Sequence, residues 1–295
     1  MGVLLLFVDG LGLGEDAPDK NPVARARLER LRLLRDRQPL DQSAAFVPTD
    51  ACLGVDGLPQ SATGQTSILA GLNAAAAVGR HVNGYCTGSL AALLNGRSLF
   101  SRVRAAGGDA TFANAYTPKY LERPPRFLSV TTVATGQAGL RFRTLEDLAR
   151  GEAVFHDFTN RLLPERGYYL PPVTPGEAGG RLARLAETHT FTMYEHFLPD
   201  LAGHAQDMDR GIKILEDLEA FLDAVLSGLD LSRTLVLLTS DHGNLEDLST
   251  KRHTRNPVPT LLWGTGAAEA ATRINSLPDI SPAILRHLDM LYSQP

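Results

Sequence analysis

Val3-Leu4-Leu5-Leu6-Phe7-Val8-Asp9-Gly10 is an unbroken apolar run that stops at an acid and a glycine. Apolar residues without polar alternation suit a strand buried on both faces, as in a parallel sheet wrapped by helices. The same design returns at Thr234-Leu235-Val236-Leu237-Leu238-Thr239, which stops at Ser240-Asp241-His242-Gly243. Residues 259–263 form a third short apolar candidate. Between these strands lie helical patterns. Over 205–226, Ile212, Leu215, Leu218, Leu222 and Val225 fall on one stripe, while Asp207, Asp209, Glu216 and Glu219 fall mostly on other faces. Residues 98–106, Gly107-Gly108 and residues 110–116 read as helix, turn and strand. Residues 23–37 read as an Arg- and Leu-rich helix with a solvated charged face. Strands alternating with helices predict an α/β fold with a mostly parallel sheet covered on both faces.

The chain has 295 residues, 43% of them hydrophobic, enough to bury one large α/β core. We therefore expect a single catalytic domain over 1–295. The stretch 131–187 fits the alternation less well and carries Leu163-Pro164, Pro171-Pro172, Pro175-Gly176 and Gly179-Gly180. It is expected to form a small lid or elaborated loop region. A net charge of −4 with acids and bases interspersed contains no basic stripe, which argues against a nucleic acid partner. No run approaches the roughly 20 apolar residues that span a bilayer. The apolar start lacks a basic flank and runs into Asp9-Gly10, so it reads as a strand rather than a signal peptide. A cytoplasmic location without a membrane partner is the expectation. Cys52 and Cys86 do not form a C-x-x-C pair and are expected to be reduced thiols.

Four segments concentrate groups that metals prefer. They are Asp9-Gly10 after the first strand, Pro199-Asp200-Leu201-Ala202-Gly203-His204, Asp241-His242-Gly243-Asn244, and His253-Thr254-Arg255-Asn256-Pro257-Val258. In open parallel sheets, ligands bind beyond the carboxyl ends of the strands, where Asp9 and Asp241 would lie. Asp200, too, is expected just past an apolar strand. Each segment alone suits an ordinary turn or cap. Together they supply three carboxylates and three imidazoles, a donor set suited to Zn²⁺ or Mn²⁺ without thiolates. Those carboxylates would repel one another unless protonated or neutralised, and two divalent cations would remove the conflict. His81, His156, His189, His196 and His287 are expected to be non-ligands.

The ordered set resembles the alkaline phosphatase superfamily, and within it the branch of cofactor-independent phosphoglycerate mutase and phosphopentomutase. The resemblance covers both ends of the chain and little of the middle. It implies a three-layer sandwich and two divalent metal ions, Mn²⁺ or Zn²⁺. One ion would be held by Asp200, His204 and His253, the other by Asp9, Asp241, His242 and the oxygen of Ser61. The mutase pattern Asn-Ser-x-x-Gly-His falls without gaps on Gln60-Ser61-Ala62-Thr63-Gly64-Gln65, which implies Ser61 as the nucleophile. Gln60 and Gln65 depart from the pattern, and other registers select Thr63 or Thr66. Ser61 is expected near a helix start, where backbone N–H groups favour an anion. Arg80, His81 and Arg255 are candidate contacts to a small phosphorylated substrate, and His156-Asp157-Phe158-Thr159-Asn160 is a polar cluster in the expected lid. The short inserted region favours a hydrolase working through a phosphoseryl intermediate. A phosphoglycerate mutase-like activity, or a metal-binding protein without catalysis, are the alternatives.

Overall fold

The computed structural model describes residues 2–292. A six-stranded sheet runs in the order β2-β8-β7-β1-β6-β3. Its strands are β1 (Gly2–Val8), β2 (Ala45–Thr49), β3 (Ala110–Phe112), β6 (Phe191–His196), β7 (Thr234–Thr239) and β8 (Val258–Gly264). β3, β6, β1 and β7 are mutually parallel, whereas β8 is antiparallel to both β7 and β2. A separate two-stranded sheet pairs β4 (Ala115–Tyr116) with β5 (Arg143–Thr144).

The first strand shows why the sheet is covered on both sides. Leu4, Leu6 and Val8 enter one core, and Val3, Leu5 and Phe7 enter the other. β7 divides in the same way, with Val236 and Leu238 on one side and Leu235 and Leu237 on the other. This is the period-2 alternation of a strand with two buried faces. The first face carries α1 (Pro22–Arg25), α9 (Pro175–Glu187), α10 (Leu198–Ala205) and α11 (Met208–Ser227). The second carries α2 (Ser61–Ala70), α3 (Ala74–Val78), α4 (Gly88–Leu94), α5 (Leu99–Ala105), α7 (Val130–Gln137), α12 (Ala267–Ala271) and α13 (Ile280–Tyr292). The result is a three-layer α/β sandwich. Beside it, α6 (Pro118–Glu122), α8 (Leu145–Ala149), the β4-β5 pair and the 150–170 loop form a cap. The cap has a small core of its own around Leu145, Leu148, Phe155 and Leu163.

Three expected elements differ in detail. Residues 23–37 do not form a helix beyond Arg25. Their leucines are buried, but the backbone N–H groups of Glu29, Arg30 and Leu31 donate to the Glu219 carboxylate of α11, at 3.1, 2.7 and 3.0 Å. A buried acid on the neighbouring helix replaces the carbonyl partners a helix would have used. The expected 205–226 helix is α11, which begins at Met208 because Gln206 adopts φ of 54° and Asp207 caps it, leaving Ala205 as the last residue of α10. The 110–116 strand divides between the two sheets. Within 131–187, α7 and α9 pack into the two main cores, and only the residues between them belong to the cap. Cys52 and Cys86 are free and half-buried. Among the described residues, no helix is long and apolar enough to cross a membrane.

The α9–α11 crossing is set by Gly179. A Cβ there would lie 2.5 Å from the Phe221 carbonyl oxygen and 2.8 Å from the Ala224 Cβ. At the adjacent Gly180 a Cβ would meet only the Arg184 guanidinium, at 3.7 Å. Helix propensity alone favours alanine at both positions by about 1 kcal/mol. We predict that Gly180→Ala gains about 0.5–1 kcal/mol on that basis, while Gly179→Ala loses about 1–2 kcal/mol through overpacking. Urea unfolding of the two variants measures the difference, and an equal gain in both would contradict the close crossing.

Candidate metal centre

The sheet delivers the candidate residues to one edge. Asp9 follows β1, whose last residue, Val8, is in register with His196 of β6. Asp200 lies in the first turn of α10, directly after β6, and His204 in its last turn. Asp241 and His242 follow β7, and His253 lies in the loop before β8. Gly10 allows the approach of two of these segments. Its φ is +76°, and a Cβ would stand 2.7 Å from the Cα of Asp200. Gly64 does the same for α2, where a Cβ would stand 2.8 Å from the Asp241 Cβ.

Two groups of facing atoms result. In the first, His204 Nε2 lies 3.3 Å from Asp200 Oδ2, His253 Nε2 lies 3.6 Å from Asp200 Oδ1, and the two Nε2 atoms are 3.2 Å apart. In the second, His242 Nε2 lies 3.0 Å from Ser61 Oγ, 3.3 Å from Asp9 Oδ1 and 3.6 Å from Asp241 Oδ2. Asp200, His204 and His253 offer ligand atoms within 4.8 Å of one another, and so do Asp9, Asp200 and His242, so Asp200 belongs to both sets, while Asp241 lies beside the second. The His242 and His253 rings stack with centroids 3.7 Å apart, so the groups share a wall.

The hydrogen bonds around this set fix the orientation of two of its imidazoles. His204 Nδ1 donates to the Lys251 carbonyl at 2.7 Å, and His253 Nδ1 to the Pro59 carbonyl at 2.8 Å. A carbonyl accepts only, so in each neutral imidazole Nε2 bears a lone pair. Two lone pairs then face each other beside a carboxylate, an arrangement suited to a cation and to little else. Burial pushes His242 well toward the neutral form and pushes His253 in the same direction. The carboxyls of Asp9 and Asp241 are pushed up by burial and then by neighbouring carboxylates. Asp9 Oδ1 and Asp241 Oδ1 are buried with no hydrogen-bond partner among the described residues, as is His242 Nδ1. Orphaned acceptors crowded by like charge match the donor chemistry of divalent cations with nitrogen and oxygen ligands.

The hydroxyl facing this cluster is Ser61, the first residue of α2. Thr63 and Thr66 turn theirs to the backbone carbonyls of Gln60 and Ala62, at 3.2 and 2.7 Å. The helix start is not an open anion cradle as expected, because Ala62 N and Thr63 N donate to Val82 O at 3.1 and 3.4 Å. Arg80 is exposed, and His81 is half-buried beside Gly57. Neither lines the cleft of about 280 Å³ that opens onto His204 and His253. That cleft is lined instead by Asn83, Lys251 and Arg252, and Arg255 lines a neighbouring cleft.

Several residues support the set: Asn244, Gln65, Thr254 and Asn256 from within the quoted motifs, and Glu246 from outside them. Asn244 Nδ2 donates to Asp200 Oδ1 at 2.7 Å, and Gln65 Nε2 to Asp241 Oδ2 at 3.4 Å. Buried Glu246 accepts from the backbone of Gly12 and Asn244, at 3.1 and 2.7 Å, and from the side chains of Thr254 and Asn256. One carboxylate thereby joins the loops after β1 and β7 to the segment after His253. The Lys251-Arg252 pair directly before His253 was the one visible hint of a basic rim.

A family profile described as the Metalloenzyme superfamily matches residues 178–292, which contain Asp200, His204, Asp241, His242 and His253. The 2,3-bisphosphoglycerate-independent phosphoglycerate mutase of Roseobacter denitrificans is 30% identical over 212 residues, covering 64% of this chain and 41% of that protein. The chain thus spans well under half the length of the curated relatives it matches first. Among solved structures, the PH0037 protein from Pyrococcus horikoshii superposes with a TM-score of 0.62 at 15% identity, covering 98% of this chain and 96% of that one. Alkaline phosphatase from the Antarctic bacterium TAB5 superposes with a TM-score of 0.53 at 13% identity, covering 98% and 97%.

We predict that Mn²⁺ or Zn²⁺ stabilises the folded chain. At a free ion concentration of about 100 times Kd the gain is about 2.7 kcal/mol per site, a rise in Tm on the order of 5 °C. Asp241→Asn should reduce that rise while raising the Tm of the chelator-treated protein, because it removes one of the crowded charges. Differential scanning calorimetry with and without chelator measures both, and a Tm indifferent to metal would contradict the assignment.

Proposed function

We propose that this alkaline phosphatase superfamily metalloenzyme, related to the 2,3-bisphosphoglycerate-independent phosphoglycerate mutases, hydrolyses small phosphate esters with Ser61 as its nucleophile. The observation that carries the reading is the Ser61 hydroxyl, 3.0 Å from His242 Nε2, facing Asp9 and Asp241 at the carboxyl edge of the sheet. Asp9, Asp241, His242 and Ser61 would hold one divalent ion, and Asp200, His204 and His253 the other, with Mn²⁺ or Zn²⁺ suited to the donors. When bound, such ions lower the pKa of a coordinated hydroxyl and stabilise charge on the reacting oxygens.

The chain's own residues position the reaction. The first turn of α2 fixes Ser61, and Gly64 lets that turn press against Asp241. The Ser61 oxygen forms a bond to phosphorus as the ester P–O bond breaks, giving phosphoserine and an alkoxide that leaves as the alcohol. The seryl proton is lost to solvent, and the alcohol regains one. Water then displaces the seryl oxygen, restoring Ser61 and releasing phosphate. Lys251 and Arg252 at the open cleft present cations to the incoming phosphate.

A mutase reading is favoured by the sequence relatives, which are phosphoglycerate mutases. It requires the phosphoryl group to return to a second oxygen of the same substrate with water kept out. The open cleft beside His204 and His253 favours hydrolysis instead. Incubation with 3-phosphoglycerate separates the two, since free phosphate supports the hydrolase and 2-phosphoglycerate the mutase.

We predict that Ser61→Ala lowers kcat on p-nitrophenyl phosphate by at least about 1,000-fold. The metal-dependent rise in Tm should persist in that variant. Mass spectrometry of acid-quenched wild-type enzyme should find phosphate on the peptide containing Ser61. Turnover undiminished in Ser61→Ala would remove the nucleophile and the proposed route with it.

A further inference from the structure

Beside the metal centre lies a second pocket, of about 330 Å³, between the end of β6 and the cap. Its size suits a small organic group. The walls are aromatic, with Tyr116 and Tyr120 inside and Tyr85 and Phe127 at the mouth. The mouth pair stacks with centroids 5.8 Å apart, yet Tyr85 is 56% and Phe127 55% exposed. Two large rings held against each other in water form a ready face for a third flat ring.

The floor is polar. Glu195 is 8% exposed, and its Oε2 accepts from Thr131 Oγ1 at 2.7 Å. His156 is likewise 8% exposed and lies between the rings of Phe155 and Phe197, at 4.1 and 4.6 Å. Both of its ring nitrogens are buried with no partner among the described residues. A hydrocarbon occupant would face the Glu195 carboxylate without offering it a donor, and a ring that carries N–H groups supplies one.

The pocket is placed to serve the phosphoryl site. Glu195 is in register with Phe7, and His196 with Val8, so Asp9 and Phe197 continue neighbouring strands at their carboxyl ends. Adjacent strands run about 4.8 Å apart. A ligand on the aromatic walls would therefore have its remainder close to Asp9 and Ser61.

We propose that this pocket binds the organic half of the substrate, and that this half is a planar heteroaromatic ring bearing N–H groups, as in a nucleobase. The rings at the mouth stack on its faces, and the Glu195 carboxylate accepts from an N–H on its edge. The cap, which supplies Tyr116, Tyr120 and His156, exists on this account to select the leaving alcohol.

The inference rests on the phosphoryl-transfer reading for the substrate's other half, and a binding experiment separates the two. Metal-free protein is titrated calorimetrically with adenosine, guanosine, cytidine and ribose. At least one nucleoside should bind with Kd below about 1 mM while ribose does not. Phe127→Ala, at an exposed position that does not support the fold, should weaken that binding about tenfold, and Glu195→Gln should change which nucleoside binds best. In the Mn²⁺-loaded enzyme, kcat/KM for the matching nucleoside monophosphate should exceed that for glycerol 2-phosphate, with the ratio falling about tenfold in Phe127→Ala. Nucleoside binding without turnover of any phosphate ester keeps the pocket and removes the phosphoryl reading. Ester turnover without nucleoside binding, or with glycerol 2-phosphate preferred, overturns the pocket assignment and leaves the reading standing.

Discussion

Mutual repulsion among Asp9, Asp200 and Asp241 is the constraint to which the rest of the molecule answers. Three carboxylates meet in a buried place, and Asp9 and Asp241 are each pushed toward the protonated form, first by burial and then by neighbouring carboxylates. Their surroundings supply three imidazoles instead of a Lys or Arg to neutralise them. Two of those imidazoles have the proton locked on the outer nitrogen by backbone carbonyls. An arrangement that costs stability in the bare chain is intelligible as a receptacle for positive charge.

The fold holds that arrangement through backbone proximity. Strands β6, β1 and β7 are adjacent and parallel, so the residues just past their carboxyl ends converge without long loops. Gly10 and Gly64 bring Asp200 and Asp241 closer than any side chain would allow. Glu246 then ties the loops together from beneath. The cap adds a different kind of surface, aromatic instead of charged. The division of labour is physical: charge and imidazole at the sheet edge for phosphate and metal, ring stacking in the cap for the organic part.

Much of this was legible in the sequence. Apolar runs ending in Asp-Gly and in Ser-Asp-His-Gly announce buried parallel strands, because no other element is apolar on every side and stops so abruptly at acids. The two-faced α/β sandwich follows from them. The candidate centre was legible for the same reason, since Asp and His at strand ends have few other uses in such numbers. Less visible was whatever depended on distant partners. Residues 23–37 have a helical pattern, but Glu219, nearly two hundred positions away, takes their N–H groups. The supporting role of Glu246 and the pairing of His156 with Glu195 in one pocket arise only from tertiary contact. The helix start at Ser61 reads as an anion cradle, but the Val82 carbonyl, beyond the ends of α2 and α3, occupies its amides.

Elemental analysis of the folded chain after reconstitution with Mn²⁺ or Zn²⁺ and removal of loose ions bears most directly on the centre. Two ions per chain are expected, as in sites where paired metals act about 4 Å apart. Because Asp200 faces both groups, Asp200→Ala should bring the count down to one or none. A folded wild-type chain that retains no stoichiometric metal, or a count unaffected by loss of Asp200, would contradict the account.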